Sequence, residues 1–567
     1  MFKELYILKY NMSSLVSALD NINNIQYGEN CHIEYSWSEV EQECICQLYF
    51  QLVRTNNCSK IKRLRKMYRD IYEKGGKKEK VLMLKMLANT RDIDGGKGEY
   101  YLSLELLDEL MCIDNKVGVE MLKLFIGFKR EEKPFGSWKD LKYFMNIHKK
   151  KDFGGYEMYV DQMTYDIVRN NNSLVWKWVP REKSNKFGWI YEEIAKNYFN
   201  EYGKYNWNKK ALNKAKMNLR ELISNKNREI ETVQIKQCDK DWKSIDFNKV
   251  TSVTMMKQKK SFLNDKNIKN QDRIDCKNNL LNYIEDVKSG KKELKGKNVG
   301  MVNFVKEALY CNNSSEKDII NEQWKNNSKS TSKLGEMIAM VDVSGSMESD
   351  EMKPILSAIG LGCRVAEKSK LGKRILTFSS NPTWVNLENI NNFVDMVKHI
   401  REIEWGMSTS FHKAMNLILD TIIELKIDAT EIENLTLVVF SDMQFDSACS
   451  DDNDKSNIIN KNTVGKILER KYNDAGIKIC GKPYKVPKIV FWNLRSSSGF
   501  PILSYHEGYA MMSGYSANAL NEFSEEGVLG LEAFTPWNML LKTLNKDKYN
   551  KINELIIDND SNVNRIV

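Results

Sequence analysis

The sequence has no run of 18 apolar residues, so no membrane-spanning helix and no membrane partner are expected. Its opening, MFKELYILKYNMSS, holds too short an apolar stretch for a secretory signal, and Lys9 interrupts it. Five histidines and no HExxH motif leave little from which to build a histidine-ligated metalloenzyme. The 11 cysteines include no CxxC pair, and an odd count without such pairing argues against both a zinc ribbon and a disulfide framework. Reduced, mostly buried thiols in a cytoplasmic protein are expected. Proline is scarce early: only Pro134 and Pro180 precede residue 330, and six follow.

What is present is a long, core-forming chain. Its 567 residues suit roughly three or four domain-sized units, or fewer if one is a large helical array. At 42% hydrophobic and 10% aromatic content it can bury substantial cores, which excludes wholesale disorder. The net charge of +10 is unevenly spread. Residues 1–330 carry 60 basic against 45 acidic side chains, and residues 331–567 carry 26 against 31. One half is therefore suited to a polyanion and the other to a different task, although a Lys- and Asn-rich solvated surface would give the same count.

The first part reads as helical, from stretches such as 80–88, 101–112, 118–128 and 212–224, and the short links between the first three suit antiparallel helix pairs. Residues 1–50 and 225–300 show no decisive pattern. The polar run EQWKNNSKSTSKL at 322–334 predicts a linker. Beyond it, short apolar runs at 337–343, 374–378, 435–440, 489–494 and 509–513 alternate with helical segments. Continuous hydrophobic strands between helices predict a doubly wound parallel sheet, with a ligand site at the carboxyl ends of its strands. The domains expected are a helical one over 1–325, a linker over 326–334 and an α/β domain over 335–567.

The first strand of that α/β half ends in Asp342, Ser344 and Ser346, three oxygen-bearing side chains at alternate positions. Thr409 precedes a later helix, and Ser441-Asp442 ends the third strand. Carboxylates with hydroxyls suit Mg²⁺ or another hard divalent cation rather than zinc. DVSGS alone can also be read as a turn followed by an N-capping serine. Other chemistries fail on detail: Asp342 stands where a nucleophile elbow needs glycine, and no GxGxxG follows the first strand. No general base is evident beside the cluster, so no enzyme is expected.

These residues resemble the metal-ion-dependent adhesion site of von Willebrand factor A domains, whose DxSxS motif is matched by Asp342, Ser344 and Ser346, its threonine by Thr409 and its later aspartate by Asp442. The resemblance implies Mg²⁺ or another divalent cation, and an acidic residue of a protein partner at its open position.

In the helical half, RDIDGGKGE at 91–99 is a glycine-rich loop but no Walker A motif, because Gly98 follows Lys97 where serine or threonine is needed. FGSWKDL at 135–141 and KWVPREK at 177–183 mix aromatic and basic residues, which stack on bases and hold phosphates. Arg91, Lys97, Lys139, Lys177, Arg181 and Lys183 are the candidate RNA-binding residues. The bland alternatives are a helix-ending turn for the loop and core-pinning tryptophans for the other two. A basic stripe is also legible at Lys60, Lys62, Arg63, Arg65, Lys66 and Arg69.

With MVDVSGSM, WGMSTSFHKAM, VVFSDMQFD, VFWNLR and MMSGYS, these motifs resemble a DUF2828-type family that joins a helical domain to an A domain. That family is related in architecture to the Ro/TROVE RNA-binding proteins. The resemblance spans roughly residues 80–545. It implies a ring of HEAT-like repeats closed by an A domain, and a non-enzymatic, ribonucleoprotein-like function with structured or single-stranded RNA as partner. No DNA partner is expected. The alternative from a different class is a metal-dependent protein-interaction scaffold.

Overall fold

The computed structural model describes residues 24–129, 133–147, 153–171, 173–200, 207–264, 269–403, 406, 409–432, 434–446, 464–524 and 533–556. The chain divides into two compact units. Among the described residues, one joins residues 24–86 with Gly296–Asn553, and the other comprises Leu87–Lys295 and residues 554–556. The boundaries differ from those expected. The segment 326–334 is no linker between units, because both its flanks lie in one.

The reason is a buried arginine. Arg364, on the Ser349–Lys368 helix, is fully buried. It donates from Nη2 to Asn327 Oδ1 at 2.9 Å and from Nη1 to Thr331 Oγ1 at 3.0 Å. Its guanidinium lies 4.2 Å from the Trp324 ring centre. The polar side chains that resemble a linker are thus the partners that satisfy an interior cation. Asn327 Nδ2 also donates to the carbonyl of Lys297 at 2.9 Å. This ties the Met301–Leu309 and Ser314–Ser328 helices to the same unit.

The first unit opens with a hairpin of β1 (Ile25–Tyr27) and β2 (Ile33–Tyr35), then the helices Glu41–Gln51 and Cys58–Lys74. Its centre is a six-stranded sheet of β3 (Met337–Asp342), β4 (Arg374–Phe378), β5 (Thr383–Asn386), β6 (Thr436–Ser441), β7 (Lys488–Asn493) and β8 (Tyr509–Ser513). The strand order is β5-β4-β3-β6-β7-β8. All pairings are parallel except β4–β5, so the expected all-parallel sheet gains an antiparallel edge. β5 was not legible as a strand because its residues TWVN are exposed except Val385, as an edge strand allows.

MVD, VVFS and VFWN run without alternation because the inner strands are covered on both faces. The Ser349–Lys368 helix packs on β3 and β4. Gly362 permits this contact, since a Cβ there would stand 2.6 Å from Val341 Cγ2. Gly360, on the same helix, meets Met301 and Val305 of the Met301–Leu309 helix. The topology is Rossmann-like, and the order reverses between β3 and β6.

The second unit is helical: Tyr100–Ile113, Asn115–Ile126, Trp138–Ile147, Gly155–Val168, Gly188–Tyr198, Lys209–Glu229, Ser252–Leu263 and Gln271–Lys288, with shorter helices between. Asn115–Ile126 packs on both Tyr100–Ile113 and Trp138–Ile147, Gly188–Tyr198 on both Gly155–Val168 and Lys209–Glu229, and Ser252–Leu263 on Gln271–Lys288. The undecided stretch 225–300 is mostly helix. Its rings Phe247, Phe262 and Tyr283 form one cluster.

Candidate functional site

Two places in the fold gather the residues singled out from the sequence. The first lies at the carboxyl ends of β3 and β6, where strand order reverses and a doubly wound sheet opens a crevice. Asp342 ends β3 and is fully buried. Its Oδ1 accepts from Ser344 N at 3.0 Å, and its Oδ2 accepts from Ser441 Oγ at 2.6 Å. The Ser344 and Ser346 hydroxyls lie 3.1 Å apart. Asp442, just beyond β6, is also fully buried, and its Oδ1 accepts from Gln444 N at 3.2 Å. Burial and then the nearby Asp442 push the Asp342 carboxyl up to about 7.

Thr409 is buried, and its carbonyl accepts from Asp446 N at 2.9 Å. Ser410 N donates to the carbonyl of Ser379 at 3.0 Å, which anchors the segment to the end of β4. Trp405 and Ser408 of the same motif lie outside the described residues.

The donor set meets the needs of a hard divalent cation in kind. All donors are oxygen, two are carboxylates kept from water, and Asp442 Oδ2 makes no hydrogen bond although it is buried. Among the described residues no group of three or more His, Cys, Asp and Glu could hold a metal ion. A cation here would therefore rest on two carboxylates and the serine and threonine hydroxyls.

A basic side chain that no local pattern announces reaches this cluster. Arg495, two residues past β7, brings Nε to 3.0 Å from Asp442 Oδ2, yet the two are misaligned and neither gains a hydrogen bond from the other. Its Nη2 donates to Glu29 Oε2 at 2.6 Å. Lys60 donates from Nζ to the Ser496 carbonyl. Burial, and then the neighbouring Arg495, hold the Lys60 amine below its ordinary value. The expected basic stripe is thus partly absorbed in this unit, where Arg63 also stands 5.0 Å from the Trp37 ring centre.

The second place lies in the helical unit. Arg91 and Lys97, expected at an RNA surface, are instead interior. Arg91 is buried and donates from Nε and Nη2 to Asp140 Oδ2 and Oδ1 at 2.8 and 3.0 Å. Ile93 N donates to the Phe135 carbonyl at 3.0 Å. Gly136 must be glycine, since a Cβ would stand 1.9 Å from Asp140 Oδ2. RDIDGGKGE and FGSWKDL are thus two halves of one structural lock. Lys97 is buried with its amine well below the ordinary range, chiefly through burial. Lys97 N and Glu99 N bond back to the carbonyls of Asn89 and Thr90, which makes the loop a helix-ending turn. Trp138 and Trp176 are core residues, and Trp176 Nε1 donates to Asp166 Oδ2 at 2.9 Å.

Three lysines on this unit gather around aromatic faces. Lys139 Nζ lies 4.5 Å from the Tyr100 ring centre and 5.3 Å from that of Tyr143. Lys142 lies 5.2 Å from Trp178 and 5.1 Å from Phe187. Lys186 lies 5.2 Å from Tyr143 and 5.5 Å from Phe187. Among the described residues none of the three forms an ion pair. Burial, followed by Lys139 and Arg181 nearby, lowers the Lys142 amine. Burial also lowers the Lys139 amine, with Arg91 and Lys257 adding repulsion and Asp140 opposing it. Arg181 and Lys183 are exposed. Lys177 is exposed too, but lines a separate cleft with Glu231 and Asp246. Lys142 and Lys186 were missed in the sequence. Their signal was a lysine beside Tyr143 and another beside Phe187.

Residues 336–559 match a family profile described as domain of unknown function DUF7788, and residues 156–337 match domain of unknown function DUF2828. An uncharacterized protein of Acanthamoeba polyphaga mimivirus is 28% identical over 539 residues, covering 88% of this chain and 86% of its own. Among the described residues no helix is long and apolar enough to cross a membrane. The chain thus carries a DUF2828 domain followed by a DUF7788 domain.

Proposed function

We propose that this protein is a non-enzymatic, RNA-binding, ribonucleoprotein-like protein of the cytoplasm, built like the Ro/TROVE proteins from a HEAT-like helical part and a von Willebrand factor A-like part. The observation that carries the reading is the convergence of Lys139, Lys142 and Lys186 on the rings of Tyr100, Tyr143, Trp178 and Phe187. Like charges held together without described carboxylate partners repel one another, and a phosphate backbone relieves that repulsion. The rings offer stacking faces to unpaired bases. Arg181 and Lys183 extend the surface, while Arg91 and Lys97 serve only to shape it.

In the α/β part, Asp342, Ser344, Ser346, Thr409 and Asp442 would hold Mg²⁺ or another divalent cation. When bound, the cation supplies charge to an acidic ligand and no chemistry. Asp342 orients the Ser441 hydroxyl, and Asp442 Oδ2 is left without a hydrogen bond to face the ion. A second reading, a metal-dependent protein-interaction scaffold, draws on the position of this cluster at the carboxyl ends of the strands.

The test is equilibrium binding of the full chain to a small structured RNA with a single-stranded 3′ end, with and without EDTA. Binding that ignores EDTA and weakens steeply with salt supports the RNA reading. No binding at low salt overturns it, and EDTA-sensitive capture of an acidic protein then favours the scaffold.

A further inference from the structure

The hairpin of β1 and β2 is fastened to the loops that leave β6 and β7, beside the oxygen cluster. Glu29 N donates to Gln444 Oε1 at 2.7 Å, and Asn30 Nδ2 donates to the Gln444 carbonyl at 2.8 Å. Cys31 bridges to Asp446. Tyr35 and Phe500 exchange backbone hydrogen bonds of 2.9 and 3.0 Å. The hairpin therefore grips both the loop that follows Asp442 and the loop that follows Arg495. Arg495 itself is set by its own backbone, for its N–H donates to Asn493 Oδ1 at 3.0 Å, and the buried Asn493 donates in turn to the Phe50 carbonyl at 3.2 Å.

We infer that Arg495 is an internal stand-in for the divalent cation, that it and the ion compete for Asp442, and that Glu29 on the hairpin holds the stand-in in place. The inference rests on the proposed cation-binding role of Asp342 and Asp442.

Three observations carry it. A fully buried carboxylate needs a positive partner, and among the described residues Arg495 is the cation that reaches Asp442 Oδ2, at 3.0 Å. The contact is electrostatic only, because both atoms lack a hydrogen bond, so an ion that coordinates the oxygen gains what the guanidinium does not. The far side of the guanidinium is anchored by Glu29 at 2.6 Å, on the hairpin that also holds the loop after Asp442. A divalent ion that takes Asp442 must push Arg495 outward, with Glu29 and the hairpin following it. The uncovered ion then presents its free position to an acidic ligand. The hairpin makes cation binding and crevice opening one event.

The experiment titrates the full chain with Mn²⁺ alone and reads free Mn²⁺ by electron paramagnetic resonance. Wild type, Glu29→Gln, Arg495→Gln and Asp442→Asn are compared. Arg495→Gln is expected to bind Mn²⁺ at least tenfold tighter than wild type, and Glu29→Gln several-fold tighter. Glu29 is largely exposed, so its variant keeps the test alive if Arg495→Gln fails to fold. Hydrogen exchange of the β1–β2 amides is expected to quicken when Mn²⁺ is added to wild type. Asp442→Asn should lose Mn²⁺ binding. Equal or weaker binding by the Glu29 and Arg495 variants, with Asp442→Asn still defective, would overturn the competition and leave the cation site. Absence of Mn²⁺ binding in every protein, wild type included, would overturn both.

Discussion

Replacing Asp140 by alanine should be among the most damaging single changes in the helical unit. Asp140 is fully buried and holds Arg91 through two hydrogen bonds of 2.8 and 3.0 Å. It also accepts from Ser137 N at 2.9 Å. Its removal leaves a buried guanidinium that cannot shed its proton. Breaking such a pair from one side costs about 3–5 kcal/mol. The reverse change, Arg91→Met, has an escape. Burial already raises the Asp140 carboxyl above its ordinary value while Arg91 pulls it down, so the lone acid can take up a proton. The Arg91→Met penalty should therefore shrink from pH 8 to pH 5, whereas that of Asp140→Ala should not. Pairing Arg91→Met with Asp140→Leu should recover part of the loss. Urea unfolding followed by tryptophan fluorescence suits the measurement, since Trp138 and Trp176 are buried in the same unit. An Asp140→Ala cost under about 1 kcal/mol, or pH-independent behaviour of Arg91→Met, would refute the lock.

Glu43 is buried and accepts from Ser504 N at 2.8 Å, and burial pushes its carboxyl up to about 7. Its folded value exceeds its unfolded one, so the stability it permits at low pH is lost as pH rises from about 4.5 through about 7. Glu43→Gln should therefore unfold at similar urea to wild type at pH 4.5 and at higher urea at pH 8, by about 3 kcal/mol; an unchanged difference between the two pH values contradicts this. Asp350, Glu351 and Met352 take left-handed φ values of 49°, 63° and 63° in succession, beside the oxygen cluster. Glu351 is largely exposed, and Glu351→Gly should stabilise the first unit by about 1 kcal/mol in thermal unfolding, where a loss of stability would show the conformation to be unstrained. Arg364→Ala should cost several kcal/mol by the same measurement, because Asn327 and Thr331 lose their partner; tolerance would show that 326–334 is docked by other contacts.

The α/β half was largely legible because its strands are continuous apolar runs, and DVSGS stands where the first of them ends. Met337–Asp342, Arg374–Phe378 and Tyr509–Ser513 fall within a residue of the expected positions. The helical half was legible as helices from periodicity alone, which says which face is buried but not what a charged residue meets there. Arg91 reads as a free cation until Asp140, 49 positions later, is seen to enclose it. Lys142 and Lys186 lie 44 positions apart and come together only through Tyr143 and Phe187. The hairpin beside the oxygen cluster was not legible for the same reason. Glu29 meets Arg495 across 466 positions, and no local pattern encodes such a pairing. A polar run such as 322–334 is likewise ambiguous, since solvent and a buried arginine satisfy the same side chains.

In the RNA-binding reading, the lysines gathered on Tyr143, Trp178 and Phe187 hold a phosphate backbone. The most direct test compares wild type with the double variant Lys142→Ala, Lys186→Ala for binding to a small RNA with a single-stranded 3′ end, across a salt series. Each phosphate contact to single-stranded nucleic acid contributes about 0.7 to the slope of log affinity against log salt. The double variant is expected to fold normally, bind more weakly, and show a slope shallower by about 1.4. A variant that binds RNA with unchanged affinity and slope would contradict it.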